Sequence, residues 1–262
     1  DVIVGALLHP LLEAGLTTTE AAASRFGPGP AAFAREIGFP QDHLGVNVEY
    51  LDSRNPRGVD AAFELAEDCQ REGVFYLEVR FAPQLHVRPG LDVSGVVRAV
   101  DRGLRRASDA FNRRPEVRSG QEPPFAAGII LCAMRFFTPE FSLGFRRFFE
   151  ALPEAPETEV HTAASLEVAR AAARLRRDEG LLVVGIDLAG QEKGYPAMGH
   201  RRAYQVAHEA FLGKTVHAGE DYGPESIFQA IGDLHADRIG HGVGDGGGRG
   251  HVGILGDRLA AE

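Results

Sequence analysis

The hydrophobic pattern along the middle of the chain alternates between two periods. Amphipathic stretches with apolar residues at helical spacing predict helices near residues 59–69, 97–111, 141–152, 166–175, 204–211 and 224–234. Between them lie short runs that are almost entirely apolar, which predict strands near residues 74–81, 125–134, 181–188, 214–218 and 237–241. Continuously apolar strands that alternate with amphipathic helices are typical of a parallel sheet covered by helices.

Two α/β architectures have this alternation, a (β/α) barrel and an open doubly wound sheet. The chain has no GxGxxG run after a strand and no GxxxxGK[ST] run, which are the usual fingerprints of the doubly wound sheet. Polar residues instead stand at successive strand ends, as a barrel active site requires: Arg80, Arg135, Asp187, His217 and His241. The sequence therefore favours an α/β barrel.

We expect a single domain over residues 1–262, with the barrel core in residues 57–242. Residues 1–56 predict helices and loops, and a Gly-Pro-Gly-Pro run at residues 27–30 interrupts them. Residues 243–262 predict a glycine-rich turn and a terminal helix. Because the chain begins at Asp1 rather than at a methionine, we expect it to be part of a longer polypeptide or one whose flanks were removed.

Composition argues against several classes of partner. The formal net charge of -9 at pH 7 makes nucleic acid and anionic membranes poor partners. Cys69 and Cys132 each lie in an apolar pattern and are expected to be buried thiols in a reducing compartment. No apolar run reaches the roughly 18 residues of a membrane span, and no stretch has the pattern of a secretory signal. We therefore expect a cytoplasmic protein.

Two strand ends carry residues that can do acid–base chemistry. The run KTVHAGED, residues 214–221, ends a predicted strand at His217, turns through an Ala-Gly pair and presents Glu220. The run RIGHG, residues 238–242, places His241 between two glycines. A neutral histidine can bind a metal, and a glutamate can carry a proton between a metal-bound water and a substrate.

These two runs closely resemble motifs of the adenosine deaminase family, within the amidohydrolase superfamily. Three further motifs share the resemblance and follow the family's order: YLEVRFAP at residues 76–83, GIILCAMR at 128–135 and VGIDLAG at 184–190. The resemblance implies a (β/α)8 TIM-type barrel of the amidohydrolase kind. It also implies zinc-dependent hydrolytic deamination of adenosine, or of a related aminopurine nucleoside, to inosine and ammonia, with one zinc ion per active site.

The resemblance assigns roles to four residues. His217 matches a zinc-binding histidine of the family, and Glu220 matches the glutamate that donates a proton to the purine N1. His241 matches the histidine that orients the attacking hydroxide. Gly190 matches the glycine whose backbone N–H meets the purine N3, where a side chain would obstruct the ring.

Other polar residues are expected to support the site or to have no part in it. We expect Glu78 and Arg80 to form a structural ion pair under the barrel rim, and Asp187 to hydrogen-bond loop backbone and help to place Gly190. Arginines in one helix are expected on a solvated face: Arg174, Arg176 and Arg177. Histidines without a partner motif are expected at the surface or in packing: His9, His43, His86, His161, His200, His208, His235 and His251.

The chain departs from the family pattern in several places. The HxH zinc pair of the family's first strand is absent, and its spacing back from Arg80 places it just before Asp1. The Asp-Asp pair of the last strand is absent too, and a glycine-rich run replaces the family's turn after His241. We therefore expect about five of the eight strands and one of four protein zinc ligands. These 262 residues by themselves should bind zinc weakly and expose sheet edges.

Three functions remain open from the sequence. The leading one is a zinc-dependent aminohydrolase that acts on adenosine or an adenine-type substrate. A second is a sister amidohydrolase that acts on another aminopurine or on a nucleotide, and a third is a catalytically inactive deaminase-like binding or scaffold protein. The expected partner is a small-molecule purine nucleoside, and the oligomeric state stays open.

Overall fold

The computed structural model of the protein describes residues 56–242. The helices are α1 (Pro56–Arg71), α2 (Val93–Asn112), α3 (Pro115–Arg118), α4 (Leu143–Ala151), α5 (Glu157–Glu179), α6 (Arg201–Glu209) and α7 (Pro224–Gly232), with 3₁₀ turns at Pro83–His86 and Ala197–His200. The strands are β1 (Tyr76–Phe81), β2 (Ala126–Met134), β3 (Val183–Ala189), β4 (Gly213–Ala218) and β5 (Arg238–His241). The expectations for residues 1–55 and 243–262 lie outside the described residues.

The five strands form one parallel sheet in the order β1-β2-β3-β4-β5. The five strands and their sequential order, as predicted from the apolar runs, are confirmed. The strands are apolar because helices cover them. Fully buried residues from both layers make the core, among them Val97, Leu104, Leu131, Ala169, Ala172 and Ile186.

The sheet is curled, and an ion pair between its two edge strands shows this. Arg238 at the start of β5 pairs with Glu78 in the middle of β1. In a flat sheet, four strand spacings would separate these two strands by about 19 Å, which is too far for the pair to form. A curled parallel sheet with helices on its outer side is an incomplete (β/α)8 barrel, and residues 56–242 supply five of its eight strands.

Local sequence signals set several helix ends. The side chains of Asp92 and Ser142 accept hydrogen bonds from first-turn amides of α2 and α4, as N-caps do.

Two helical predictions need correction. Helix α5 begins at Glu157 rather than near residue 166, because its first turn is acidic and does not show the apolar period. The loop expected before residue 124 contains the short helix α3, whose residues are not buried.

Burial confirms the expectations for the two thiols and for the histidines within the described residues. Cys69 and Cys132 are buried and unpaired. Three histidines are packed inside the protein: His86, His161 and His200. His208 and His235 are exposed. The expected solvated arginines are exposed too: Arg174, Arg176 and Arg177. Across residues 56–242, every helix is too short or too polar to cross a membrane.

Candidate active site at the ends of β4 and β5

The histidines of the two motifs lie side by side at the carboxyl end of the sheet. His217 is the fifth residue of β4, and His241 ends β5, where it stands opposite Ala218 in the parallel register. The ring centroids of the two histidines are 5.3 Å apart. The prediction that both side chains point to the same end of the sheet is therefore confirmed.

Asp187, in the neighbouring strand β3, lies behind the His217 ring. Its Oδ2 atom is 2.9 Å from His217 Nδ1 and 3.4 Å from Arg80 Nε, and its side chain is fully buried. The ring N–H does not point straight at the oxygen, so the contact is close but poorly aligned. Burial alone would raise the pKa of Asp187, but His217 and Arg80 hold it below its ordinary value. Asp187 is therefore a buried carboxylate that faces one nitrogen of His217.

The contacts of Asp187 also explain how His217 is oriented. With Nδ1 close to the carboxylate, Nε2 is the ring nitrogen left for another partner. Metal-binding histidines have this arrangement, in which the second nitrogen is held by a carboxylate or a carbonyl. We expected Asp187 to hydrogen-bond loop backbone near Gly190, and its side-chain partners are instead His217 and Arg80.

The expected ion pair between Glu78 and Arg80 needs correction as well. Glu78 pairs with Arg238 and accepts a hydrogen bond from the hydroxyl of Tyr76, whereas Arg80 pairs with Asp187. Residues two apart in a strand share a face and are about 6.6 Å apart along it. Because the sheet is curled, each of the two side chains meets a partner on another strand.

Glu220 lies beyond the end of β4, close to His241. Its Oε2 atom is 3.4 Å from His241 Nε2, and its side chain is 59% exposed. The turn that presents Glu220 requires glycine at position 219, where φ is +81° and a Cβ atom would lie 2.8 Å from Ile227 Cδ1. His241 itself has φ of +73°, a left-handed conformation that is uncommon for residues other than glycine. The carboxyl group of Glu220 and the rings of His217 and His241 thus lie together at the accessible carboxyl end of the sheet.

Gly190 follows β3 directly and has φ of +95°. A Cβ atom at this position would lie 3.4 Å from Met134 Cε and 3.6 Å from the backbone nitrogen of Arg135. The positive φ is the stronger restriction, because the contacts alone leave room for a small side chain. Glycine therefore lets the chain turn out of β3 at the same edge of the sheet.

Two buried charged residues join these strand ends, and the sequence assigned neither of them a role. Arg135, just after β2, is 1% exposed, and its guanidinium donates to the carbonyl oxygens of His217 (2.7 Å) and Tyr195 (2.9 Å). Glu192 is 4% exposed, and its carboxylate accepts from the backbone amides of residues 220, 221 and 222 at 3.4, 3.2 and 3.0 Å. The sequence signal for Glu192 is weak, because it is one acidic residue in a polar loop.

Among the described residues, His217 is the side chain that the sequence predicts as a metal ligand. His217 has the geometry of a ligand, with one nitrogen facing a buried carboxylate. Within the part of the chain that the structure describes, no group of three or more His, Cys, Asp or Glu side chains is arranged to hold a metal ion. A stable zinc site uses three or four protein ligands. His217 therefore fits zinc as one ligand, while the described residues do not complete the site.

Comparison with known proteins gives a consistent picture. The model of the adenosine deaminase family matches residues 46–249. Adenosine deaminase 1 of Streptomyces coelicolor is 38% identical over 71% of this chain and 38% of its own length. The adenosine deaminase of Mycobacterium marinum is 33% identical over 91% of this chain and 60% of its own length. The chain thus spans between about two fifths and three fifths of these curated relatives.

A solved structure has the same fold. A zinc-bound amidohydrolase from Burkhoderia ambifaria aligns with 98% of this chain and 59% of its own chain, with a TM-score of 0.53 and 19% sequence identity. At this level of identity the likeness concerns the fold alone. It agrees with the incomplete barrel seen in the strand order and curl of the sheet.

Proposed function

The chain belongs to the adenosine deaminase family, and from this premise we propose that the protein removes the amino group of adenosine, or of a related aminopurine nucleoside, by hydrolysis. The reaction consumes one water and yields inosine and ammonia. The observation that carries the proposal is the meeting of His217, Glu220 and His241 at one edge of the sheet. We propose that the protein acts in purine metabolism in the cytoplasm.

Deamination needs a group that protonates the purine while water attacks, and Glu220 is our candidate. Addition of water to C6 pushes electrons onto N1, so an acid near N1 lowers the barrier. The Glu220 side chain is accessible to a ligand, and the turn at Gly219 fixes the backbone position from which that side chain extends. The proton given to N1 is replaced by one from the attacking water. The C–N bond then breaks as the amino group gains a proton and leaves as ammonia, while the new C6 hydroxyl loses a proton and becomes the carbonyl of inosine.

His241 is our candidate for orienting the attacking water. Its Nε2 atom lies near Glu220, and its ring lies beside that of His217, so it borders the same space as both. An imidazole there can accept a hydrogen bond from the water and so orient a lone pair of the water oxygen toward C6. Gly190 is our candidate for binding the purine N3 through its backbone N–H, because its missing side chain leaves the amide approachable.

We propose that zinc is the cofactor, with His217 as one of its ligands. When bound, zinc supplies a hydroxide near neutral pH, which water alone cannot provide. The contact with Asp187 supports this role, since a carboxylate beside one ring nitrogen restricts the orientation of the ring and leaves the other nitrogen for the metal. The other ligands would lie outside residues 56–242, whose side chains offer no complete set.

A substrate panel tests the proposal in the full-length protein. Adenosine, adenine and AMP would each be incubated with the zinc-loaded protein, and ammonia release and the change in ultraviolet absorbance would be followed. We expect adenosine to be deaminated. Turnover of adenine or AMP without turnover of adenosine would assign the protein to a sister amidohydrolase. Failure to deaminate any aminopurine, together with absence of bound zinc, would overturn the enzymatic proposal.

A further inference from the structure

We propose that Arg135 and Glu192 are positioning residues that hold the backbone of residues 217–222 from its two ends. This inference rests on the proposed function, because it concerns how His217 and Glu220 are placed for deamination. Neither residue reaches the accessible edge of the sheet, since both are buried. Their influence on the reaction would therefore pass through the backbone of the segment that carries the two site residues.

Arg135 holds the first end of the segment. The Nη2 atom donates to the carbonyl oxygen of His217 and the Nη1 atom to that of Tyr195. A single side chain thus connects β4 to the loop that follows β3. Burial lowers the pKa of Arg135, and the nearby charge of Glu192 counteracts the effect. The guanidinium presents two nitrogens in a rigid planar fork, one for each carbonyl, whereas an ammonium has a single nitrogen on a flexible stem.

Glu192 holds the second end. Its two carboxylate oxygens accept the amides of residues 220–222, with Oε2 shared by Asp221 and Tyr222. Successive amides that point at one anion fix the local turn, because a carboxylate accepts several hydrogen bonds and donates none. The backbone of Glu220 is thereby fixed, although its own side chain is exposed.

The polarity of the two residues matches the two ends of the segment. The cation meets a carbonyl and the anion meets amides, so exchanging either charge for a neutral group weakens one end only. A buried ion pair that is replaced as a whole by apolar side chains of similar size often keeps stability, whereas removal of one partner alone is costly. Buried charge at this place is therefore better explained by the position it imposes on the segment than by stability alone.

The experiment uses the full-length zinc-loaded protein and compares four variants. Glu192→Gln keeps the shape of the side chain but turns one acceptor oxygen into a donor that faces amides. Arg135→Lys keeps the charge but replaces the two-nitrogen fork with a single nitrogen, so it loses the geometry that fits both carbonyls. The matched controls, Glu167→Gln and Arg170→Lys, alter an exposed ion pair on α5. Glu192→Asp, which keeps the charge, is the milder variant if Glu192→Gln does not fold.

Two readouts are taken, and one of them is independent of activity. Hydrogen exchange measured on peptides that contain residues 218–223 should become at least about tenfold faster in Glu192→Gln, while exchange in β1 and β2 stays unchanged. Turnover of adenosine should fall by about 10- to 100-fold with little change in KM and with zinc content intact, as expected for a small misplacement. The control variants should alter neither quantity.

The outcomes separate this inference from the proposed function. Unchanged exchange in both Glu192→Gln and Arg135→Lys would overturn the inference whatever the activity. Faster exchange with unchanged kcat would also overturn it, because the segment would then be held without consequence for the reaction. If the unmodified protein deaminates no aminopurine, the proposed function fails instead, and this result is recognisable without any variant.

Discussion

The two ends of β4 and β5 use charged residues in opposite ways. At the amino end, Lys214 Nζ lies 2.9 Å from Asp237 Oδ2, and the backbone amide of Lys214 donates to the same carboxylate. The Lys214 side chain is 8% exposed. Burial raises the pKa of Asp237, but the contacts with Lys214 outweigh it and hold the pKa below its ordinary value. At this end Lys214 and Asp237 are thus already paired with each other.

At the carboxyl end of the same strands, the polar groups keep hydrogen-bonding or metal-binding positions that no protein group within residues 56–242 occupies closely. His217 has one ring nitrogen close to Asp187 and one farther from it, and His241 and Glu220 approach each other only to 3.4 Å. In (β/α) barrels the carboxyl end carries the chemistry and the amino end carries stability. Substitutions at the two ends should therefore differ in what they change, and the following predictions test this difference from the largest effect to the smallest.

Replacement of His217 by alanine should have the largest effect. It removes a proposed zinc ligand, so zinc content and adenosine turnover should fall together, turnover by about 10⁴-fold or more because the nucleophile depends on the metal. Metal analysis beside a deamination assay in the full-length protein measures both. His208→Ala, at an exposed histidine of α6, is the control. Full zinc content in His217→Ala would contradict the proposed ligand role.

Replacement of Glu220 by glutamine should reduce turnover without loss of zinc. Glutamine keeps the size and can donate a hydrogen bond, but it cannot transfer a proton, so kcat should fall by about 10²- to 10⁴-fold. Affinity for a purine ligand should change little, because the binding contacts remain. The exposed Glu225 gives a control, Glu225→Gln. Deamination at the unmodified rate would show that Glu220 is not the proton donor.

Replacement of Asp187 by asparagine should have a smaller effect of the same kind. The neutral amide keeps the volume but no longer offers a charged acceptor behind the His217 ring, so zinc affinity should fall by about 10- to 100-fold. Competition with a metal chelator measures the change in affinity. Asp178→Asn removes a surface partner of Arg177 and should leave affinity unchanged. Equal affinities in the two variants would show that Asp187 does not act through His217.

Replacement of Lys214 by methionine should affect stability alone. The methionine fills the space, but Asp237 loses the ammonium partner, and since Asp237 is half-exposed water compensates in part. We expect the free energy of unfolding to fall by about 1 kcal/mol and adenosine turnover to stay within about twofold. Urea unfolding beside the deamination assay measures both. Lys193→Met, at the other lysine of the chain, is the control. A tenfold loss of turnover in Lys214→Met would break the division between the two ends.

Much of this division was already visible in the sequence. Buried parallel strands must be apolar along nearly their whole length, so five short runs located the strands, and a polar residue that closes such a run must lie at a strand end. His217, Glu220 and His241 were found in this way, as were the glycines that make the turns beside them. Local patterns sufficed because each of these features is set by residues that are close in the chain.

Tertiary structure decided the partners of the charged residues. Glu78 meets Arg238, 160 positions later, because the sheet curls and brings its first and last strands together, and Asp187 meets His217 because β3 and β4 are neighbours. Glu192 holds the amides of residues 220–222 because two loops fold over the same strand ends. The sequence thus determined which side chains lie at the carboxyl end of the sheet. Which of them touch depends on the curl of the sheet and the paths of its loops, which no local pattern encodes.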